Sequence, residues 1–339
     1  MNRLTLLLAA SLSTALFSVS AQNVPPVVTN QIADFTEYAG APPASIDLAN
    51  AFSDPDVTDA VEFFTDLGNI DVALFGQQKP ITVANFLKYV DQKKYFIFDA
   101  NANGTAPSFI HRVVPGFIIQ GGGWLATINK QNQAIQPTQV AMFPPIANEP
   151  GISNKRGTIA MAQLGSDANS ATSEWFINLA DNGGPPNNLD IRNNNAGPYT
   201  VFGRVVNNTM GVVDAISVVP HYNFAAVHPA FASLPLRNYD GVSPVYVPNL
   251  VSVPAISHIP ILTYSVSTDN NNVGAGISGT KLLVSGNTVG TSHVTVTATD
   301  LDGDSVSQTF TINVIAAPGR PVNLSTRMQV GTGDNALIA

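Results

Sequence analysis

One strand-like segment carries two side chains suited to hydrogen-bond chemistry. It runs from Ser108 to Gly123 (SFIHRVVPGFIIQGGG) and places Arg112 and Gln120 among apolar residues and glycines. Burying a guanidinium without a partner is costly, so an arginine in this setting needs a partner or a ligand. Taken alone, Arg112 is also compatible with a surface arginine whose stem covers apolar residues. The segment marks a candidate site whose walls the rest of the chain must supply.

The composition argues against several other chemistries. The chain of 339 residues contains no cysteine, which excludes disulfides, thiol catalysis and iron–sulfur clusters. A net charge of −8 without a basic run argues against nucleic-acid binding. The five histidines show no close metal-type spacing: His111, His221, His228, His258 and His293. We therefore expect no metal and no cofactor.

Two patterns imitate ligand sites. Gly121–Gly123 resembles a phosphate loop, but the Lys-Ser/Thr pair and the following helix are missing, which favours packing at a strand end. Five aspartates occur in calcium-like alternation in two turns: Asp54, Asp56, Asp300, Asp302 and Asp304. The sixth-position glycine and later glutamate of an EF-hand are absent, so a hairpin turn is favoured and a calcium site is the alternative.

The N-terminus is typical of a secretory signal peptide. Arg3 precedes the apolar run LTLLLAASLSTALFS, and Val19–Ala21 supplies the small residues of a cleavage site. We expect residues 1–21 to be removed and the mature protein to be exported to the periplasm, the cell surface or the medium. No later run approaches about 18 apolar residues, so no membrane span is expected after signal cleavage.

Periodicity predicts a mainly β protein. Val61–Phe75 is typical of a hairpin, and KPITVANFLKYVDQKKY has apolar residues at helical spacing. GTIAMAQ, SEWFINL and YTVFGRVV are predicted as strands, and NTMGVVDAISVV as a short helix. From Leu262 onward, four segments alternate with period two, which is typical of a β-sandwich.

The middle of the chain resembles the cyclophilin family of peptidyl-prolyl isomerases. The similar segments are FIHRVVPGFIIQGG, GTIAMAQ, TSEWFINLADN and YTVFGRVV, which follow the ITVANFLKYV helix in family order and near family spacing. The resemblance covers roughly Val61–Ser257 and implies a closed eight-stranded antiparallel barrel capped by two helices. It also implies that proline-containing polypeptides are the partners and that no cofactor is used.

The resemblance also implies a role for each site residue. Arg112 matches the catalytic arginine, and Gln120 matches the glutamine that orients it and the substrate carbonyl. The substrate-binding positions that match are Phe117, Ile118, Ala162, Gln163, Phe176, Leu189 and Tyr199. Rotation about an X–Pro bond has a barrier of roughly 18–20 kcal/mol. A donor aimed at the prolyl nitrogen stabilises the twisted transition state more than the planar states, so no nucleophile is needed.

Three positions depart from the family pattern. Glu174 replaces the usual glutamine beside the substrate, where it either draws Arg112 away from the substrate or lies at the rim. Trp175 replaces a core phenylalanine, and Asn188 stands where an aromatic residue usually lines the pocket. The departures keep an alternative open, namely a non-catalytic module of a surface or matrix protein that binds proline peptides.

The two flanks predict a second domain. Residues 22–60 resemble the first strands of an immunoglobulin-like or cadherin-like sandwich, and residues 259–316 resemble its remaining strands. We predict that the isomerase domain, residues 61–258, is inserted into this sandwich, so that Ile46 and Leu48 share a core with Val296 and Phe310. Residues 317–339 are expected to be a tail or the start of a further module. The alternative is a disordered N-terminal arm; the oligomeric state stays open, with a monomer expected.

Overall fold

The computed structural model describes residues 23–165, 167–191 and 197–318, so the predicted signal peptide and almost all of the predicted tail lie outside the described residues. The first twelve strands are β1 (Val27–Val28), β2 (Phe35–Tyr38), β3 (Ala44–Asp47), β4 (Phe52–Ser53), β5 (Asp59–Thr65), β6 (Gly68–Leu74), β7 (Phe96–Asp99), β8 (Gly104–Phe109), β9 (Arg112–Val114), β10 (Ile118–Gly121), β11 (Trp124–Leu125) and β12 (Thr138–Gln139). The other twelve are β13 (Thr158–Met161), β14 (Trp175–Asn178), β15 (Val201–Val206), β16 (His221–Tyr222), β17 (Leu234–Pro235), β18 (Ser252–Val253), β19 (Ala255–Ile259), β20 (Thr263–Thr268), β21 (Val273–Ser278), β22 (Lys281–Gly286), β23 (Gly290–Thr299) and β24 (Ser305–Ile315). The helices are α1 (Pro80–Asp91) and α2 (Met210–Ser217), with short 3₁₀ turns at Leu48–Asn50, Pro229–Phe231 and Val247–Asn249.

The central strands close into an antiparallel barrel. One sheet has the order β19-β5-β6-β15-β13-β14-β10-β9, and in a second sheet β8 pairs with β18. The chain continues from β8 into β9 and from β18 into β19, with Pro254 at the second bend. Counting each bent pair as one strand gives a ring of eight, as the family resemblance implied.

The two helices pack into the barrel core. Pro80 begins α1, and the Glu149 carboxylate accepts hydrogen bonds from the amides of Ile81 (3.3 Å) and Thr82 (2.8 Å), as a negative group at a helix start should. The buried side chains of α1 and α2 share one cluster with the barrel strands. Its helical members are Val83, Phe86, Tyr89, Val90, Val213 and Ile216. Among the described residues, no helix combines the length and the apolar character needed to cross a membrane.

The chain divides into two compact units, and the division differs from the predicted boundaries. The barrel unit contains, of the described residues, 23–29, Phe52–Tyr264 and Thr297–Val306. Residues near 57 and 301 belong to it because Val57 and Leu301 are buried in one cluster with Ala60, Ala73 and Val206. Sequence periodicity could not show this, because those residues stand in turns.

The second unit contains residues 30–51, 265–296 and 307–318 of the described chain. Within it, β2 runs parallel to β24 with Phe35 opposite Ile312, and β3 runs antiparallel to β22 with Ile46 opposite Leu282. The rings of Phe35 and Phe310 stack with their centroids 6.1 Å apart. Strands from the early part of the chain therefore pair with strands that follow the barrel.

The aspartates of the calcium-like pattern have protein partners. Asp54 accepts hydrogen bonds from the amides of Asp56 (3.1 Å) and Val57 (3.0 Å), and Asp300 accepts from those of Asp302 and Asp304 (both 2.9 Å). These are the contacts of turns. Among the described residues, no group of three or more acidic, histidine or cysteine side chains is arranged to hold a metal ion.

A buried arginine lies among these aspartates. Arg204 of β15 pairs with Asp56 at 3.4 Å and with Asp302, and it donates to the side-chain oxygen of Asn23 at 2.6 Å. Its side chain is 9 % exposed. A guanidinium thus supplies the positive charge that these carboxylates require.

Candidate active site

One row of residues across the barrel sheet forms the base of the site. Arg112 of β9 stands opposite Gln120 of β10, which stands opposite Phe176 of β14, which stands opposite Ala160 of β13. Directly opposite residues in neighbouring strands place their side chains on the same face. The adjacent row turns the other way and joins the barrel core, where Val113, Ile119, Ile159 and Ile177 are fully buried. The alternation of the strands therefore separates the site from the core.

The register of Arg112 and Gln120 depends on the turn between them. In VPGF, the Phe117 amide donates to the Val114 carbonyl at 2.9 Å, and Gly116 has φ of +72°. Proline followed by a glycine with positive φ is the signature of a type II turn. The turn places the Nη1 atom of Arg112 3.2 Å from Oε1 of Gln120, so the guanidinium donates to the amide oxygen.

A cavity of about 320 Å³ opens over this row. It is lined by Arg112, Phe117, Ile118, Gln120, Ala162, Gln163, Phe176, Leu189, Tyr199, Pro229 and Ala230. The structure thus brings together every residue predicted for the site except Glu174, which lies behind Gln120. Arg112, Gln120 and Gln163 contribute polar groups to this lining, and the other residues contribute aromatic and aliphatic side chains.

Buried amides position the apolar wall. The Asn182 side chain donates to the Phe117 carbonyl at 2.8 Å, and the Asn182 carbonyl accepts from the Leu189 amide at 2.9 Å. The Leu189 carbonyl in turn accepts from the Tyr199 amide at 2.9 Å. Phe176 and Tyr199 meet edge to face with their ring centroids 5.6 Å apart. Three loops are tied to one another, which fixes the width of the cavity.

The side chains of Gln163 and Asn188 both bind backbone groups of neighbouring loop residues. The Gln163 side chain donates to the Pro198 carbonyl at 3.1 Å and accepts from the Gly197 amide at 3.3 Å, so its amide group braces a neighbouring loop. Asn188 has φ of +54° and donates to the Pro186 carbonyl at 3.3 Å instead of lining the cavity. Asn188 is a departure from a family position that is usually aromatic, and it does not line the cavity.

Glu174 contacts Gln120. The Nε2 atom of Gln120 donates to Oε2 of Glu174 at 2.7 Å, and Nε2 of His111 lies 3.6 Å from the same oxygen. The alternatives raised by the sequence were that Glu174 draws Arg112 away or lies at the rim; its hydrogen-bond partner is Gln120, and a third of its side chain is exposed. Burial acts to raise the pKa of Glu174, but His111, the hydrogen bond from Gln120 and His228 together hold it below the ordinary value.

The three glycines after Gln120 make room for their neighbours. A Cβ on Gly121 or Gly122 would lie 2.7–2.8 Å from ring atoms of Trp175, and one on Gly123 would lie 2.3 Å from Oε1 of Glu174. The prediction of packing at a strand end fits these contacts. Trp175 is 1 % exposed and fills the core, like the phenylalanine that it replaces.

Arg112 remains a cation in this setting. Burial lowers its pKa from the ordinary value, while Tyr199 and Glu174 act in the opposite direction. Burial raises the pKa of Tyr199, against the effect of Arg112. An arginine keeps its proton at all ordinary pH values, so the cavity offers a permanent donor beside a neutral phenol.

Sequence reasoning missed Pro229 and Ala230. They belong to a segment that follows the second helix, and the Ser233 hydroxyl and the Val113 amide fasten that segment to β9 through hydrogen bonds of 2.5 and 2.9 Å. His228 begins the short 3₁₀ turn there, because its Nδ1 atom accepts from the Ala230 amide at 3.1 Å. The segment has little periodicity, and a capping residue followed by proline was the only available signal.

The described residues form a closed β-barrel with an external cavity, in which a cation and an amide stand beside aromatic and aliphatic side chains. A family model described as cyclophilin type peptidyl-prolyl cis-trans isomerase matches residues 60–230. A peptidyl-prolyl cis-trans isomerase of Acinetobacter baylyi is 42% identical over 162 residues, covering 47% of this chain and 72% of the relative.

Peptidyl-prolyl cis-trans isomerase A of Dickeya dadantii is 42% identical over 161 residues, covering 47% of this chain and 71% of the relative. A solved cyclophilin-type isomerase of Cryptosporidium parvum is 18% identical and covers 60% of this chain and 98% of its own, with a TM-score of 0.37. The chain belongs to the family of cyclophilin-type peptidyl-prolyl cis-trans isomerases. It is an isomerase of X–Pro peptide bonds, and proline-containing peptides are its binding partners.

Proposed function

We propose that the chain is an exported isomerase that acts on X–Pro bonds of folding or surface proteins, with Arg112 as the catalytic donor. The observation that carries this proposal is the Arg112–Gln120 pair, which faces a cavity that Phe117, Phe176 and Leu189 also line. Among the described residues, the Arg112 side chain donates one hydrogen bond, the one to Gln120. Its remaining N–H groups are available to a substrate.

The geometry suits a twisted prolyl amide. The rings of Phe117 and Phe176 and the side chain of Leu189 accept the proline ring, which leaves the amide beside Arg112. At the twisted transition state the prolyl nitrogen loses its resonance and becomes an acceptor, so a fixed cationic donor stabilises that state most. A hydrogen bond to a charged group contributes about 1.5–3 kcal/mol, and a tenfold rate gain requires about 1.4 kcal/mol. One or two such bonds are enough for a useful acceleration.

A protease-coupled assay with a proline peptide tests this proposal. The purified chain should accelerate cis–trans exchange, and Arg112→Ala should lose most of that activity while still binding the peptide. Activity of Arg112→Ala within about twofold of the parent would contradict the mechanism. A parent that binds the peptide without accelerating exchange would contradict the mechanism as well and would fit a module that only binds proline peptides.

Export is supported by the sequence features of residues 1–21: a short positive start, an apolar run and small residues at a cleavage site. When the gene is expressed in a bacterium with an intact secretion system, the mature protein should begin near residue 22 and fractionate outside the cytoplasm. N-terminal sequencing of the fractionated protein gives the answer. An intact Met1 on cytoplasmic protein would contradict export.

We also propose that the second unit is an immunoglobulin-like or cadherin-like sandwich that the isomerase domain interrupts. The pairing of β3 with β22 supports this, because a strand that precedes the barrel in the sequence pairs with a strand that follows it. In this pair Ser45 lies opposite Leu283, and both residues are exposed. Opposite residues in antiparallel strands have Cα atoms about 4.5–5.5 Å apart, within reach of a disulfide.

The cysteine-free chain permits a clean test. Ser45→Cys combined with Leu283→Cys should form a crosslink on oxidation, detected by a mobility shift that a reductant reverses. Ser45→Cys combined with Lys281→Cys, two positions out of register, is the matched control and should crosslink poorly. Failure of the first pair, or equal crosslinking of both, would contradict the proposed sandwich.

A further inference from the structure

Glu174 lies at the centre of a polar cluster behind the cavity wall. Its carboxylate accepts from Nε2 of Gln120 at 2.7 Å, and His111, which is 1 % exposed, lies beside the same oxygen at 3.6 Å. Gln120 in turn accepts from Arg112 through Oε1 at 3.2 Å. Each link runs in one direction, from the guanidinium to the amide and from the amide to the carboxylate.

The direction matters because a glutamine amide can be turned in two ways. One end of the amide accepts hydrogen bonds and the other end donates them. An ionised carboxylate only accepts, so it holds the NH₂ end of Gln120 on its own side. The oxygen of Gln120 then necessarily faces Arg112, which only donates. If Gln120 were reversed, an NH₂ group would face the guanidinium and an oxygen would face the carboxylate.

The backbone makes room for this carboxylate. The Glu174 side chain packs against Gly123, two residues after the end of β10, where any Cβ would lie 2.3–2.9 Å from the Oε1, Cδ and Cγ atoms of Glu174. The carbonyl of Glu174 is also held, because it accepts from the Ala162 amide at 2.9 Å. The side chain of Glu174 is thus confined by Gly123 and its backbone by Ala162, and a third of the side-chain surface remains exposed.

We propose that Glu174 is a positioning residue for isomerisation: its acceptor-only carboxylate fixes the orientation of the Gln120 amide, and Gln120 thereby holds Arg112 toward the bound proline. The inference rests on the proposed role of Arg112. It gives a positive function to a position where the family resemblance led us to expect glutamine, a residue that can donate as well as accept and so cannot impose a direction.

Exchanging the two side chains tests the proposal. In Gln120→Glu the two carboxylates oppose each other, so kcat/KM should fall about tenfold. In Glu174→Gln only Arg112 still fixes the direction of the Gln120 amide, and the neutral acceptor holds the NH₂ group less firmly than a carboxylate does, so kcat/KM should fall about threefold. In the double variant Gln120→Glu/Glu174→Gln, the new carboxylate accepts from Arg112 and the new amide donates to that carboxylate. Both hydrogen bonds return, and kcat/KM should lie within about threefold of the parent.

The double variant is decisive because two independent losses in kcat/KM, one of about tenfold and one of about threefold, would multiply to about thirtyfold. A loss of that size or larger in the double variant would overturn the proposal, and so would higher activity in Glu174→Gln. Glu62→Gln is the matched control, since Glu62 on β5 also accepts from a side-chain amide, that of Asn69, at 2.8 Å and does not line the cavity. It should keep the activity of the parent.

Two further measurements keep the outcome interpretable. Thermal unfolding of each variant shows whether it is folded; if Gln120→Glu is not, Glu174→Met replaces it and should lower kcat about tenfold with little change in KM, because positioning acts on the transition state. An unchanged kcat in Glu174→Met would overturn the proposal. Arg112→Ala, run alongside, separates the two proposals: full activity there defeats the role of Arg112 itself, whereas loss there without rescue in the double variant defeats only the role of Glu174.

Discussion

Two arginines on barrel strands show what distinguishes a reactive cation from a structural one. Arg204 on β15 is surrounded by acceptors, pairing with Asp56 and Asp302 and donating to Asn23. Among the described residues, Arg112 on β9 donates to a single neutral amide, that of Gln120, and it borders a cavity of about 320 Å³. Gln120 stands between Arg112 and the carboxylate of Glu174.

The number of acceptors around a guanidinium decides how many of its N–H groups remain available. Two carboxylates and an amide oxygen engage Arg204, so it is held in place as a structural element. Among the described residues one acceptor engages Arg112, which orients the guanidinium and leaves its other N–H groups to a substrate. Replacing each arginine by lysine keeps the positive charge and removes the planar fork, and the two positions should respond in opposite ways.

The largest effect is expected at Arg112→Lys. A lysine cannot hold the Gln120 oxygen and reach the prolyl amide with the fixed geometry of a fork, so kcat/KM should fall roughly thirtyfold, equivalent to about 2 kcal/mol. The urea midpoint should stay near that of the parent, because the head group borders an open cavity. An Arg112→Lys variant that unfolds more easily than the parent but retains its activity would contradict this assignment and would make Arg112 a structural residue.

Arg204→Lys should show the reverse pattern. A single ammonium cannot serve Asn23, Asp56 and Asp302 together, and Asp56 is nearly buried, so the free energy of unfolding should fall by about 1–2 kcal/mol. Urea denaturation measures this loss, and the peptide assay on the folded fraction should give activity within about twofold of the parent. A stable but inactive Arg204→Lys would show that the two arginines are coupled.

The smallest effect concerns Asp54, a neighbour of Asp56 that Arg204 does not contact. Burial, partly opposed by hydrogen bonds from the amides of Val57 and Asp56, raises the pKa of Asp54 to about 6. Because the folded pKa exceeds the unfolded one, stability from this group is present below about pH 4 and is lost as pH rises through about 6. Asp54→Asn keeps an oxygen for both amides and avoids the charge.

We therefore expect Asp54→Asn to be more stable than the parent at pH 7, by about 1 kcal/mol, and equal to it near pH 4. Denaturation midpoints measured across this range provide the test. A difference that does not change with pH would mean that the Asp54 carboxyl does not titrate in the range expected.

Much of the site followed from the sequence because it lies along one row of a sheet. Arg112 and Gln120 stand eight residues apart on either side of VPGF, a turn whose proline and glycine specify its type and hence the register. Once the register is fixed, the side chains that share the row with Phe176 are fixed as well. The barrel itself followed from the family resemblance, and the bent strands that close it carry no distinct sequence signal.

The remainder depended on contacts between distant parts of the chain. The partners of Arg204 are separated from it by 98 to 181 positions, so YTVFGRVV indicates only a polar residue in a strand. Pro229 and Ala230 reach the cavity through hydrogen bonds between Ser233 and Val113, 120 positions apart. The sequence also marked Glu174 as unusual but could not tell whether its carboxylate would meet Arg112 or Gln120, since that depends on the space left at Gly123.

The pairing of β5 with β19 has a consequence for how such a barrel can be inherited. Ala60 and Ile259 are opposite one another, so the chain enters and leaves the barrel at neighbouring points. A domain with adjacent ends can be inserted into an exposed loop of a host protein, because the host chain must bridge a gap of only about 5 Å between the two ends. Joining the two ends directly should likewise cost little loop-closure entropy, so new termini could be cut elsewhere on the ring without altering the strand order.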